Sequence, residues 1–235
     1  MITLTLDGPG KNALSTTLMQ SIVDRLGEAN GAPVLFVGNG DAFSAGLNLK
    51  EVATHEGDAM FAFLDLLERC MTAIYLYPGP TVACVNGHAI AGGCVITLCC
   101  DHRVIVDSPK VRIGLNEVAL GVRFPPRILE IVRRRVSALD QVLLGGQLFD
   151  PHTARGLGLV DEVAADVETV ARARLATLAG HPAEGYAITK RDLRGSEDDL
   201  FPSSEHAGRV RSMVPQWTAP VVKERIAAVL GKTSR

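Results

Sequence analysis

An α/β fold is predicted by three features of the sequence. Short apolar and β-branched runs, the length of buried strands, recur at residues 2–6, 33–38, 81–86 and 102–106. Between them lie longer stretches with apolar residues three and four apart, the spacing of one helix face. Glycine and proline stand at the joins, as in Asp7-Gly8-Pro9-Gly10 and Pro78-Gly79-Pro80. Strands dominate to about residue 113 and helices after it, with no long repeat and no low-complexity linker between them.

Taken in order, residues 2–6 alternate as a strand does, and 7–10 form a turn. Ser15 is placed to cap a helix carrying Leu18, Met19, Ile22, Val23 and Leu26 on one face and ending near Asn30-Gly31. Residues 33–38 form a buried strand, and 39–51 a polar loop with an apolar insertion. That loop holds no dinucleotide fingerprint, because Phe43 stands where the last glycine would be. Ser44 is not in a G-x-S-x-G elbow, because Ala42 takes the first glycine position. A long amphipathic helix is expected over 58–77, stopped by Pro78-Gly79-Pro80. After a strand at 102–106 and a short one at 111–113, helices are expected from Pro125-Pro126 to 136 and from a Ser137 cap to 144. Another follows Asp150-Pro151 and stops at Gly156. A short extended piece at 159–163 precedes helices at about 166–179 and 183–193. A helical pattern over 203–230 is broken by Pro215 and Pro220. Arg133, Arg134 and Arg135 read as a solvated face near a helix C-terminus.

The 235 residues suit one α/β domain, or one domain with an appendage, and 47% hydrophobic residues can bury a full core. Lys plus Arg number 24 against 26 Asp plus Glu, with no basic stripe, so nucleic acid is not an expected partner. The N-terminal MITLTLDGPGK lacks the basic and apolar regions of a signal peptide, and no apolar run reaches the roughly 18 residues of a membrane span. Cys84, Cys94, Cys99 and Cys100 lie in the most apolar stretch and read as buried, reduced thiols of a cytoplasmic protein. With no CxxC and no paired histidines, no metal is expected.

The chemistry concentrates in residues 81–104, TVACVNGHAIAGGCVITLCCDHRV. A buried strand breaks at Gly87, and Ala91-Gly92-Gly93 open a short apolar helix. A helix start leaves backbone N–H groups free, and its dipole suits developing negative charge. Without a Cβ, Gly92 or Gly93 would let a substrate carbonyl approach the backbone. An oxyanion site follows from that reading, and the same glycines would equally serve tight helix–strand packing.

Three segments stand out together: Asn12-Ala13-Leu14, Ala42-Phe43-Ser44-Ala45-Gly46-Leu47-Asn48-Leu49-Lys50, and Asn86-Gly87-His88-Ala89-Ile90-Ala91-Gly92-Gly93-Cys94 continuing to Cys100-Asp101-His102-Arg103. Jointly they resemble the crotonase superfamily, the enoyl-CoA hydratase/isomerase family. Ala154-Arg155-Gly156-Leu157-Gly158-Leu159-Val160 looks like the family's later A-x-x-x-G-L-V segment. The resemblance covers roughly residues 2–165. It implies a spiral of repeated ββα units over 1–165, carrying the CoA and oxyanion site, and a C-terminal helical trimerisation region over 166–235. A homotrimer or dimer of trimers is the implied assembly.

The resemblance also assigns residues. The oxyanion hole would use the N–H groups of Leu47 and Gly92. Ser44, Ala45, Leu47, Asn48, Leu49 and Lys50 would line the CoA path, with Val95 also at the substrate. Hydratases of this family carry two glutamates; this sequence has Val95 at the first position and Glu117 at the second. Hydration calls for a water held and activated, usually between two carboxylates, whereas moving a double bond needs one base. A lone Glu117 in an apolar site suits the second task, because desolvation raises its pKa toward neutrality. The wording around Glu117 and Val95 is most similar to the 3-enoyl-CoA isomerases of the family. The expected activity is isomerisation of 3-enoyl-CoA to trans-2-enoyl-CoA, with no metal or redox cofactor and CoA arriving as part of the substrate. Two alternatives stand beside it. One is another crotonase-type activity (hydratase, acyl-CoA hydrolase or decarboxylase) using a second group among Asp65, Glu68, His88 or Arg123. The other is a silent CoA-binding oligomer. Taken singly, Asp65 and Glu68 read as a solvated helix face, His88 as a structurally satisfied histidine, Arg123 as exposed, and Asp101 as a cap or a local partner of His102 or Arg103.

Overall fold

The computed structural model describes residues 1–233. Strand β1 (Ile2–Leu6) leads into α1 (Pro9–Asn12), a turn in which Gly10 and Lys11 are not helical, and then into α2 (Thr16–Ala29). Three turns of a spiral follow. The first holds β2 (Val34–Gly38), β3 (Ala42–Ser44), α3 (Leu49–Thr54) and α4 (Gly57–Tyr75). The second holds β4 (Thr81–Val85), β5 (His88–Ile90) and α5 (Gly92–Cys99). The third holds β6 (His102–Val106), β7 (Ile113–Gly114), α6 (Glu117–Leu120), α7 (Pro126–Arg135), α8 (Leu139–Gly145) and α9 (Pro151–Gly156). After β8 (Glu162–Ala164) the described chain is helical: α10 (Val167–Ala179), α11 (Ala183–Arg194), α12 (Glu197–Leu200), α13 (Ser203–Arg211), α14 (Val214–Trp217) and α15 (Pro220–Thr233).

The first strand of each turn joins one parallel sheet, ordered β1-β2-β4-β6-β8, and the second joins a smaller parallel sheet, β3-β5-β7. Every pairing within the two sheets is parallel, so each strand must reach its neighbour through a crossover, which the helices supply. The result is the expected ββα spiral with C-terminal helices. The main core fills the space between the sheets and α2, α4, α5 and α7, with Phe36, Phe43, Met60, Leu64 and Ile96 fully buried. Helix α10 covers the other face of the large sheet, packing Val167, Ala171 and Leu175 on Leu35, Val82, Cys84 and Val104.

Local chemistry places most ends where the sequence puts them. Ser15 Oγ accepts from Leu18 N–H at 3.1 Å to start α2, and Asn30, in the left-handed region at φ 44°, stops it. The Asp150 carboxylate accepts from the N–H groups of His152 and Thr153 at 3.0 Å each, with Pro151 at the first helical position of α9. Ser137 does not cap α8; Ala138 holds that position, and Ser137 N–H donates to Leu157 O instead. The polar loop expected at 39–51 contains β3 and the start of α3, which Asn48 caps through Lys50 N–H. His88 lies on β5. Elements of three residues give no periodic signal, so β3 and β5 leave no signature in the sequence.

Long-range polar contacts correct two readings. Asp101 does not pair with its neighbours. It accepts from Lys190 Nζ (2.8 Å), Arg194 (2.6 Å), Tyr186 Oη (2.9 Å) and Thr81 N–H (2.7 Å), fastening α11 to the core. Burial pulls the Lys190 ammonium down to about 8 despite the Asp101 charge beside it. Arg103 pairs with Asp161, and His102 faces Glu162 at 3.3 Å. Arg135 is not a solvated cation: it donates to the carbonyls of Leu98 and Cys100 at the C-terminal end of α5, where positive charge meets the helix dipole. All five cysteines are free and buried.

Candidate active site

A cavity of about 620 Å³ lies where the starts of α5 and α6 meet α3, α4, α7 and the C-terminal helices. Leu67, Met71, Val95, Ile128, Trp217 and Ile226 make its wall largely apolar. Among the described residues, Glu117 is the only carboxylate that lines it.

Two backbone donors border this space. Leu14 N–H donates to Gly46 O at 2.7 Å, and Asn48 N–H donates to Leu14 O at 3.0 Å. This is a parallel bridge centred on Leu47, and in such a bridge the central residue's own N–H points away from the partner strand. Leu47 lines the cavity. Gly92 is the first residue of α5, where an N–H has no acceptor within the helix. The turn into α5 is made by Ala91 at φ 49°, a conformation an alanine adopts only when its surroundings enforce it. Its N–H donates to Gly114 O, and its carbonyl accepts from Val95 N–H.

The glycines bring the two donors together. Gly46 sits at φ 89°, and a Cβ there would stand 2.7 Å from Ile90 O and 3.4 Å from Gly92 N. A Cβ on Gly93 would lie 2.4 Å from Ser44 O. The segments carrying Leu47 and Gly92 therefore touch backbone to backbone. The packing reading and the open-donor reading of these glycines are compatible, because close packing of β3 on α5 brings together the segments that carry the two N–H groups.

Glu117 opens α6, with Asn116 before it as the cap residue. Its Oε2 is shielded from solvent, and among the described residues it has no hydrogen-bond partner and no cation pairs with the carboxylate. Burial is the main influence on its carboxyl and pushes it up to about 7, opposed only by its own backbone N–H. A carboxyl poised there can exchange a proton near neutral pH. The arrangement thus offers two N–H donors suited to a developing oxyanion and one proton carrier in an apolar space.

The structure gathers Ala45, Leu47, Asn48, Leu49, Lys50, Gly92, Val95, Glu117 and Arg123 around this one cavity. Ser44 is the exception among the expected contacts. It is fully buried behind the wall, where its Oγ donates to Asn12 O at 2.8 Å and accepts from Gly46 N–H at 3.3 Å, bracing the loop that carries Leu47. Asp65, Glu68 and His88 do not line the cavity. His88 Nδ1 accepts from Arg112 N–H at 3.0 Å, a satisfied histidine as expected. Glu68 corrects the solvated-face reading: it is fully buried, with Oε1 accepting from Arg127 N–H at 2.7 Å and Oε2 against His206 Nε2. The sequence reading missed Trp217, Ile226 and Leu230 of the C-terminal region. The only signal for them was the apolar spacing of 203–230. No cluster of three metal-ligating side chains occurs among the described residues.

Residues 1–206 match the family model described as enoyl-CoA hydratase/isomerase. The chain belongs to that family. A mitochondrial enoyl-CoA delta isomerase 1 of Mus musculus is 32% identical over 168 residues, 69% of this chain and 58% of that protein. A 2,3-dehydroadipyl-CoA hydratase of Escherichia coli is 29% identical over 209 residues, 84% of this chain and 80% of that protein. The first curated relatives are matched over 52–65% of their own length, so this chain corresponds to about half to two thirds of each. The crystal structure of human mitochondrial delta3-delta2-enoyl-CoA isomerase superposes with a TM-score of 0.92 over 99% of this chain and 93% of that one, at 24% identity, which shows the shared fold. An enoyl-CoA hydratase/isomerase family protein from Pseudomonas syringae gives 0.82 at 28% identity, over 90% and 93%. Isomerase and hydratase names both occur among the family members it resembles. No helix among the described residues is long and apolar enough to cross a membrane.

Proposed function

We propose that this enoyl-CoA hydratase/isomerase family member isomerises 3-enoyl-CoA esters to trans-2-enoyl-CoA. The observation that carries the reading is that Glu117 is the one carboxylate lining the cavity among the described residues; the family resemblance matches Val95, also in the lining, to the position of the other hydratase glutamate. In the ionised form Glu117 takes a proton from C2 of the acyl chain. The electron pair spreads onto the thioester oxygen and across C3 and C4, and the N–H groups of Leu47 and Gly92 donate to that oxygen. The protonated Glu117 then returns the proton at C4, leaving the double bond between C2 and C3 and the enzyme unchanged. One base serves both steps because the proton never has to leave the site, and an apolar wall keeps water from competing for it. Each backbone donor to the oxyanion contributes on the order of 3 kcal/mol. CoA arrives with the substrate, and the mechanism calls for no metal or redox group. Asn48, Leu49 and Lys50 line the cavity, which supports assigning them to the CoA portion. The assembly we propose is a homotrimer or dimer of trimers.

The relatives' names favour a hydratase reading as well. Water addition to crotonyl-CoA would need a second group to hold the water; of the four candidates Asp65, Glu68 and His88 are outside the cavity wall, while Arg123 lines it, and a guanidinium, always protonated, can donate to a water but cannot act as its base. The deciding experiment gives purified protein 3-hexenoyl-CoA and crotonyl-CoA in parallel. Formation of 2-hexenoyl-CoA is expected. Conversion of crotonyl-CoA to its 3-hydroxy product, with no action on 3-hexenoyl-CoA, would reject the isomerase.

A further inference from the structure

Glu117 is the proposed base, yet no side chain among the described residues bonds its shielded Oε2. Its place is set instead by the backbone of α6. That helix is four residues long with no buried residue, and a single turn is marginal in isolation. The turn closes on itself, with Glu117 O accepting from Gly121 N–H at 3.0 Å and Val122 N–H at 3.2 Å. On one side Val118 packs against Gly146 at the end of α8. On the other, two side chains of the C-terminal helices bond the far end of the turn. Gln216 Nε2 of α14 donates to Gly121 O at 3.0 Å, and Arg225 of α15 donates to Leu120 O at 3.1 Å. A carbonyl only accepts, so Gly121 O fixes which way the Gln216 amide faces. The arginine contact is built into the turn. Gly121 has φ 79°, and a Cβ there would stand 2.1 Å from the Arg225 guanidinium, so glycine leaves the room that the arginine fills.

We infer that Gln216 and Arg225 are positioning residues: by clamping the carbonyls of Leu120 and Gly121 they hold α6, and with it the Glu117 carboxyl, in register with the reacting carbons. The C-terminal helices then do two things. They wall the cavity through Trp217 and Ile226, and they set the base beside it. This rests on Glu117 being the base of the proposed reaction. Proton transfer at two carbons in turn tolerates little misplacement, and an error near 1 Å can cost about 10²-fold.

Arg225→Met and Gln216→Met remove the donors and keep an unbranched chain. Arg225 is exposed and Gln216 half-buried, so both proteins should fold. With 3-hexenoyl-CoA, kcat should fall about tenfold in each and about 10²-fold in the double variant, while affinity for hexanoyl-CoA, which binds without reacting, stays within about twofold by calorimetry. Arg225→Lys keeps a donor and should recover most of the loss. A looser turn also lets water reach the carboxyl, so the midpoint of kcat/KM against pH should move from about 7 toward 4.5. Arg211→Met is the control. Arg211 ties α13 to α4 through Asp58 at 2.7 Å, not to α6, so its loss should leave kcat and the midpoint unchanged. The inference is overturned if the double variant keeps the parent's kcat and midpoint, if affinity falls in step with kcat, or if Arg211→Met loses as much. The single variants are read in the same way, so nothing depends on the double variant folding. The Glu117 carboxyl is also titrated without substrate, by ¹³C NMR assigned through the Glu117→Gln spectrum. An unchanged carboxyl midpoint in the variants overturns the inference whether or not the parent turns over 3-hexenoyl-CoA. A shifted midpoint with an inactive parent would remove only the proposed reaction and leave the clamp on Glu117 standing.

Discussion

Two glutamates lie on either side of the cavity wall, and burial raises the carboxyl pKa of both. Glu68 follows Leu67 on α4 and is fully satisfied. Arg127 N–H and His206 bond its two oxygens, and Arg127 reaches on to Glu197 (2.8 Å) and Ser203 (3.1 Å). That junction joins α4, α7, α12 and α13. Glu117 has none of this: its shielded oxygen faces no donor. The same side chain, similarly desolvated, is structural where its lone pairs are occupied and available for chemistry where they are not. Hydrogen-bond accounting, rather than burial or pKa, tells the two apart.

The largest test of this contrast is Glu117→Gln, nearly the same shape without the exchangeable proton. Positioned proton transfer contributes about 10²–10⁴-fold, so kcat on a 3-enoyl-CoA should fall by at least that order. The backbone donors remain, so calorimetric affinity for an acyl-CoA should be retained. Near-normal turnover in this variant would remove Glu117 from the mechanism and dissolve the distinction. Glu68→Ala should do the opposite. It leaves His206 and Arg127 N–H buried without their acceptor, and loss of one partner from a buried pair costs about 3–5 kcal/mol. Denaturant unfolding should show that loss, while the folded fraction still turns over. A Glu68→Ala protein of unchanged stability but abolished turnover would mean the roles are reversed.

What the sequence made legible follows the same division. Leu47, Gly92 and Glu117 could be read because their motifs are local: an S-A-G-L loop, a glycine pair at a helix start, a carboxylate at another. Glu68 was misread because α4 is amphipathic in pattern yet covered on more than one side, by α2, α5, α7, α13 and α14, so its polar stripe does not face water. Asp101 was misread because its partners Tyr186 and Lys190 come 85 and 89 residues later, a separation no local pattern encodes. Trp217 and Ile226 reach the cavity through tertiary packing of α14 and α15, which apolar spacing foreshadows without saying against what they pack.

The pH dependence sharpens the comparison at smaller amplitude. In the proposed reaction the active form of Glu117 is the carboxylate, so kcat/KM should rise with pH through an apparent value about 7 and level off above it. Stability should run the other way. The folded carboxyl titrates about 7 against a usual 4.5, so the fold holds the proton more tightly than the unfolded chain does. The stability linked to that proton is complete below about 4.5 and is lost as pH rises through 7, on the order of 3 kcal/mol in all. Glu117→Gln should therefore be more stable than the parent at pH 8 and nearly equal to it at pH 4. Equal stability of the two proteins across that range would show that Glu117 is not desolvated in solution.

The smallest expected effect is a gained activity. Val95 is 2% exposed and lines the cavity from α5; the family resemblance matches it to the position at which hydratases carry a first glutamate. Val95→Glu would set a second carboxylate in the space that holds Glu117. Two carboxyls desolvated together cannot both ionise easily, so one should keep a proton near neutral pH while the other stays available as a base. An acid and a base flanking a polar gap is what activation of a water molecule needs. The variant should gain weak hydration of crotonyl-CoA, measured by loss of the enoyl absorbance. It should also lose about 1–3 kcal/mol of stability, because a polar group enters an apolar wall without a built partner. The two readouts act together. Hydration with reduced stability would mean that the missing carboxylate is what separates this cavity from a hydratase's. Reduced stability alone would mean that the wall stays dry, so that one glutamate at this site directs a proton and not a water. A variant as stable as its parent and without hydration would show that position 95 does not face the reacting carbons. The single-carboxylate argument for an isomerase would then have to stand on Glu117 without it.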